Sequence, residues 1–239
     1  MKKTVLLLAK SCKFGALCPG GVEITLSSEG RVTGIGNWIR IVADDGAAGA
    51  VQEHEIAYAR PLDVVEFEIV HRPLGKQVEN WVIDANAGTG ATVVAQFAEP
   101  ASILPYVHEH YPHKDFFGNH RAFLGEEEYA QVDHTEVIMK VTNVDIYTND
   151  RDKTKIDFDW DGSPSRIKWV AITDPDYYRD GSTHIDSAYL CVAIPPKTWL
   201  YKGEERAYKF VAKVFPMTAP IHSHPSVDDA APFEDDIPF

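Results

Sequence analysis

The feature that most constrains the fold is a series of short β-prone segments cut apart by polar turns, with almost no helical period. Thr4 to Ala9 is an apolar run suited to a buried strand. Val22 to Leu26, Asn37 to Val42, Asp63 to Val70 and Trp81 to Ile83 follow it. In the second half, strands are expected at Thr135 to Tyr147, Arg166 to Ile172, Ser187 to Ile194 and Arg206 to Phe215. Cys18-Pro19-Gly20-Gly21, Ser27-Ser28-Glu29-Gly30, Asn149-Asp150-Arg151-Asp152, Asp161-Gly162-Ser163-Pro164 and Lys202-Gly203-Glu204-Glu205 read as turns between them. Only Pro100 to His110 reads as a short helix. Short strands and polar turns predict an all-β chain with minor helix, folded as barrels or sandwiches.

The 239 residues suit one large β domain or two small ones, and a 44% apolar content supplies a core. The net charge is −13, and five acids after His224 are accompanied by no Lys or Arg. Even without them the body stays acidic, which argues against non-specific coating of duplexes. A local basic groove with aromatic platforms, the usual device for single strands, remains open. Cys12, Cys18 and Cys191 show no CxxC spacing, so neither a zinc site nor a disulfide framework is expected. No cofactor and no enzymatic activity are expected. The opening Met1-Lys2-Lys3 with Val5 to Ala9 is too short for a signal peptide, and no stretch approaches a membrane span. A cytoplasmic location follows as the expectation, with no membrane partner.

Leu8 to Gly15 with Ser11, Lys13 and Gly15, then Cys18 to Gly21, then Trp38-Ile39-Arg40 resemble the opening of the bacterial dual-OB domain family. Val170 to Pro175, closing on Thr-Asp-Pro, and the segments Tyr189 to Ile194 and Tyr208 to Phe215 are similar to that family's second half. The resemblance implies two tandem OB-like barrels that bind nucleic acid, over residues 1–112 and 113–216.

After Pro216 the strand pattern stops, so residues 217–239 read as a flexible acidic tether. It finishes Pro232-Phe233-Glu234-Asp235-Asp236-Ile237-Pro238-Phe239, which resembles the C-terminal tip of bacterial single-stranded DNA-binding proteins (SSBs). Phe239 carries an apolar ring and a carboxylate on one residue, suited to a pocket with an apolar floor and a cationic lip. Asp235, Asp236, Ile237, Pro238 and Phe239 are therefore the candidate partner-docking residues.

The candidate nucleic-acid-binding residues are Lys10, Ser11, Lys13, Trp38 and Arg40. A strand-borne aromatic beside cations is what a stacked base and its phosphate require. Trp38 and Arg40, two apart, share one strand face. The competing reading places Trp38 in the core and pairs Arg40 with a carboxylate.

Two further sets have blander explanations. His108, His110 and His113 with Glu109 and Asp115 lack a distant fourth ligand, and a solvated linker accounts for them. Asp145, Asp150, Asp152, Asp157, Asp159 and Asp161 resemble a magnesium cluster. Alternation of the last three with Phe158 and Trp160 fits a solvated strand face instead. Gly88-Thr89-Gly90 lacks the lysine of a phosphate loop.

The expected function is a phage, plasmid or bacterial single-stranded DNA-binding (or RNA-binding) protein that recruits SSB-interacting replication and repair enzymes through its tip. The alternatives are a protein that binds no DNA and occupies those host enzymes, and a metal-dependent nuclease.

Overall fold

The computed structural model describes residues 1–13, 16–43, 51, 56, 58–70, 77–84, 91–177, 182–218 and 221–223; the side chains of 11–13, 16 and 221–223 are not described.

The first half is built on β1 (Lys2–Lys13), β2 (Ala16–Leu26), β3 (Val32–Val42), β4 (Asp63–Glu68), β5 (Asn80–Val82) and β6 (Ala91–Gln96). β1, β2 and β3 form an antiparallel meander, β5 runs parallel to β3, and β4 runs antiparallel to β1. An antiparallel bridge between Ile69 and Ile83, with Val70 N donating to Val82 O at 2.9 Å, joins the end of β4 to β5. The barrel is thereby closed in the order β1-β2-β3-β5-β4-β1, and β6 lies on the remaining edge of β4.

The second half repeats this order. Its strands are β8 (Glu136–Thr148), β9 (Thr154–Asp159), β10 (Ile167–Ile172), β11 (Ser182–Ala193) and β14 (Phe210–Pro216). β10 and β14 are the parallel pair, and β14 closes onto β11. β7 (Phe123–Gly125), β12 (Trp199–Tyr201) and β13 (Glu204–Tyr208) add a three-stranded sheet, placed mostly between the fourth and fifth barrel strands. The two expected barrels are therefore present, and the described residues are mostly β, with the short helices α1 (Leu104–His110) and α2 (Glu126–Gln131) among them.

Cys18 to Gly21 is not a turn but the interior of β2. A Cβ on Gly21 would sit 1.9 Å from Leu6 O, and one on Gly20 2.8 Å from the Trp38 indole nitrogen. The glycines serve close approach between strands. Past Pro216 the chain keeps its place on the sheet. Met217 N donates to Ser187 O at 2.8 Å, and β15 (Ile221–Ser223) pairs with Ser182 to His184 of β11. Residues 217–218 and 221–223, expected in the tether, are thus placed against β11, and the rest of the expected tether lies outside the described residues.

Two of the three cores belong to single barrels. Val5, Leu7, Ile39, Ile41, Val65 and Phe67 fill the first, and Val137, Met139, Phe158, Ile167, Leu190 and Val211 the second. The third core is shared. Leu6, Leu8, Val22 and Trp38 on the outside of the first barrel meet Ile138, Tyr189, Cys191, Ala212 and Phe215 on the outside of the second, with Leu104 and Val107 of α1 alongside. Strands at this junction are apolar on both faces, because one face lines a barrel and the other the seam. Hence Val5-Leu6-Leu7-Leu8 reads as an unbroken run, where a half-solvated strand would alternate.

Polar groups tie the seam as well. Glu79 of the first half accepts from Thr135 N at 2.5 Å and from Thr135 Oγ1 at 2.8 Å, all buried. Gln77 Nε2 donates to Ile194 O at 3.4 Å, and Cys191 Sγ lies 3.7 Å from Leu8 O. Tyr111, edge-on to Trp38 with ring centroids 6.2 Å apart, donates to Glu136 O at 3.2 Å.

Candidate nucleic-acid interface

In barrels of this order, oligonucleotides lie across the second and third strands, between the loop joining strands one and two and the loop joining four and five. In the first barrel that face is β2–β3, and it is closed. Trp38 is 2% exposed and packs into the shared core. Its Nε1 is buried without a hydrogen-bond acceptor among the described residues. No ring face is left for a base, so Trp38 is not the expected platform in this structure. Arg40 does lie beside Trp38, as the two-residue spacing requires. Its guanidinium is spent on Asn80 Oδ1, at 2.7 Å from Nε, and on Gln77 Oε1. Those contacts and its charge near buried Glu136 make it a junction residue; burial pushes the Glu136 carboxyl well up, with Arg40 opposing.

Lys10 is not brought to this pair. The β1–β2 register shifts between Leu7 and Ala9, and one extra residue inverts the facing of all that follow. Lys10 therefore turns toward the barrel end and donates to Ala59 O at 2.8 Å and Ile56 O at 3.3 Å. Ser11 and Lys13 lie in the last turn-ward residues of β1, paired with Cys18 and Ala16, and their side chains fall outside the described residues. So do Asp235, Asp236, Ile237, Pro238 and Phe239, and the Gly88-Thr89-Gly90 loop.

The second barrel packs on the first through β8, β11 and β14, which leaves its own β9–β10 face uncovered. Ile156 and Phe158 point into the barrel, Asp157 and Asp159 out of it. On β10, Ile167 and Val170 both point in, three residues apart, because the strand bulges between them. The bulge extrudes Lys168 and Trp169, both exposed. Trp169 is 45% exposed and held at φ 61°, a left-handed conformation unfavourable for a side chain this large.

A polar network holds this bulge. Trp169 N donates to Asp157 Oδ1 at 2.7 Å, and Tyr147 OH to the same oxygen at 3.1 Å. Arg166 donates to Asp145 Oδ2 at 2.5 Å and to Asn143 O at 2.7 Å, and lies 3.4 Å from Asp159. Asn143 Nδ2 donates to Asp159 Oδ2 at 2.7 Å. Burial pushes the Asp157 carboxyl up, while these donors and Arg166 oppose it. His184 Nδ1 lies 2.7 Å from Asp145, and that hydrogen bond raises the imidazole above its ordinary value. Asp157 and Asp159 are thus structural carboxylates on a polar strand face, as the alternation indicated, and Asp145 joins them from β8. Asp150, Asp152 and Asp161 are exposed and outside this network.

The loop between the fourth and fifth strands supplies a second group of aromatics and cations. Trp199, Tyr201, Arg206, Tyr208 and Phe123 share one face of the β12-β13-β7 sheet by register. The Arg206 guanidinium stands 4.1 Å over Phe123 and 4.7 Å over Tyr201, and Arg121 stands 4.8 Å over Phe123. Lys197 and Lys202 lie 5.9 Å and 5.1 Å from the Trp199 and Tyr201 rings.

Sequence reasoning missed Trp169 because strict alternation puts it on the same face as Ile167. The three-residue spacing of Ile167 and Val170 was the available sign of a bulge.

The His108 set divides. His108 packs against Tyr189 with centroids 5.5 Å apart, and His110 Nδ1 lies 2.8 Å from Tyr106 O. His113 and Asp115 instead approach Asp133 and His134.

Two closed barrels of this strand order, one presenting an open second-and-third-strand face, define a protein of the OB-barrel class. A model of the dual OB-containing domain family matches residues 3–214, and the chain belongs to that family. No curated protein and no solved structure matches it. OB barrels are consistent with nucleic-acid binding, and no helix among the described residues is long and apolar enough to cross a membrane.

Proposed function

We propose that this protein is a non-enzymatic adaptor that holds single-stranded nucleic acid on the β9–β10 face of its second barrel. Through the SSB-like tip, Asp235 to Phe239, it recruits DNA replication and repair enzymes, in a cytoplasm that keeps its thiols reduced. The observation that carries the reading is Trp169, displayed beside Lys168 and Arg166 on the one second-and-third-strand face that inter-barrel packing leaves open. A base stacks on the indole while Lys168 meets phosphate. Trp199, half-buried beside exposed Lys197, extends the track. Ser11 and Lys13, beside the first barrel's β1–β2 turn, are a further contact in the same scheme.

The tip adds a weak partner contact, about micromolar, made effective by its tether to bound DNA. The reading is tested by fluorescence anisotropy of a labelled single-stranded oligonucleotide titrated with the full chain across a salt series. Micromolar or tighter binding that weakens with salt supports it. Absence of binding at low salt overturns it, and favours a protein that occupies SSB-partner enzymes without DNA, for which the acidic body is the supporting observation.

A further inference from the structure

The segment linking the barrels returns on itself, so residues 113–115 meet residues 133–134 at the seam. The imidazoles of His113 and His134 stack with centroids 3.8 Å apart and 14° between their planes, and Phe117 also stacks on His134 at 5.3 Å. His134 stands between two carboxylates. Asp133 Oδ1 lies 2.8 Å from its Nδ1, and Asp115 Oδ1 lies 3.7 Å from its Nε2, which is buried without a hydrogen-bond partner. Asp115 is itself anchored by Gly118 N at 3.2 Å. Nitrogen and oxygen donors from the two segments are therefore gathered at one place, with His134 Nε2 and the stacked His113 ring not used in a hydrogen bond to the neighbouring carboxylates. One donor atom each from His113, Asp133 and His134 lie within 4.8 Å of one another.

We propose that His113, Asp133 and His134 form a site for a divalent transition-metal ion of the zinc class. Two imidazoles and a carboxylate are a donor set such ions favour. Asp115 then closes from its present 3.7 Å onto the remaining His134 N–H, as the outer carboxylate that fixes tautomer and ring orientation in such sites. Parallel rings aim their lone pairs side by side, so binding turns His113 about χ2 and opens the stack. The ion replaces the proton between Asp133 and His134 Nδ1. Exposed Asp133 gives it a path from solvent, and water completes the coordination.

Its position suggests the consequence. Thr135, next in sequence to His134, holds Glu79 across the seam, and His113 O accepts from Ile138 N at 3.4 Å. An ion joining 113 to 133–134 closes the linking segment into a ring and braces the barrel junction.

The test strips the full-length protein with chelator and titrates it with Co²⁺, read by visible absorption, and with Zn²⁺, read by calorimetry and thermal midpoint. The expected result is saturation at one equivalent with a raised midpoint. H113Q and H134Q should each weaken binding by about tenfold or more. Substituting His222 and His224, the histidines of the C-terminal segment, should leave it unchanged. H113Q, which breaks neither carboxylate contact to His134, separates lost binding from lost folding when its circular dichroism matches wild type. The proposal is overturned by no saturable binding in the wild-type protein. It is equally overturned by binding that survives both H113Q and H134Q.

Discussion

Replacing Trp169 with glycine separates a binding role from a folding role. Trp169 is 45% exposed, so the fold gains about half of a full aromatic burial from it, about 1 kcal/mol. Its φ of 61° costs a non-glycine residue about 1–2 kcal/mol, which glycine removes. Glycine adds back about 0.5–1 kcal/mol through the freedom of the unfolded chain. These contributions nearly cancel, so the thermal midpoint of W169G should stay within about 4 °C of wild type. Loss of one stacked base removes about 1–3 kcal/mol of binding, a weakening of about 5- to 150-fold. Anisotropy with a labelled single-stranded oligonucleotide reads the second number and a thermal melt the first. W169F, which keeps a ring, should recover most of the affinity. Affinity within twofold of wild type in W169G, with the fold intact, refutes the assignment of this face. A midpoint drop of 10 °C would instead make Trp169 a packing residue.

Glu79→Ala should destabilise by about 2–4 kcal/mol in urea unfolding, because Thr135 N and Oγ1 lose their shared acceptor at a buried seam; a change below 1 kcal/mol would mean the seam does not depend on this contact. Burial brings the Lys209 ammonium down to about 7, although it donates to Asn119 O at 3.1 Å and Asn119 Oδ1 at 2.8 Å and lies 3.9 Å over the Phe116 ring. Between pH 7 and 10 the unfolded chain therefore binds more protons than the folded one, and stability should rise with pH across that window. K209M should flatten the rise, as followed by urea midpoints at several pH values. His184 titrates with the opposite sign: its raised value means that the support it draws from Asp145 is complete below about pH 6.5 and fades as pH climbs through the folded value. An NMR titration of His184 in wild type and D145N measures this, and an unchanged midpoint in D145N would refute the pairing. Because acids outnumber the free cations on the β9–β10 face, log affinity for a single strand should fall with log salt at a shallow slope of about −0.7 to −2, whereas a slope near −5 would place binding on a more basic surface.

The strands were legible in the sequence for a physical reason, whereas their grouping into two barrels came from the resemblance to the dual-OB family. Strand and turn chemistry is local, and Ile156-Asp157-Phe158-Asp159 declares one buried and one solvated face without any knowledge of neighbours. The short helix at 104–110 was likewise marked by its own spacing. Sites were less legible because facing depends on register. One extra residue near Leu8 sends Lys10 away from Trp38 and Arg40, and one between Ile167 and Val170 turns Trp169 outward. The first bulge leaves no mark in the apolar run, and the second leaves only the three-residue spacing of Ile167 and Val170.

By itself, then, the sequence determined a mostly β chain, an acidic body and an acidic C-terminal segment, while two barrels were what the family resemblance implied. Tertiary structure decided which barrel keeps an open face. The unbroken apolar runs at Val5 to Leu8 and Tyr189 to Val192 announce strands covered on both sides, but not by what. Only the packing shows that the first barrel uses its second-and-third-strand face for the seam while the second barrel uses the opposite side. Burial of a face is a property of the partner surface laid against it, and that partner lies more than a hundred residues away along the chain, as Leu8 and Cys191 do.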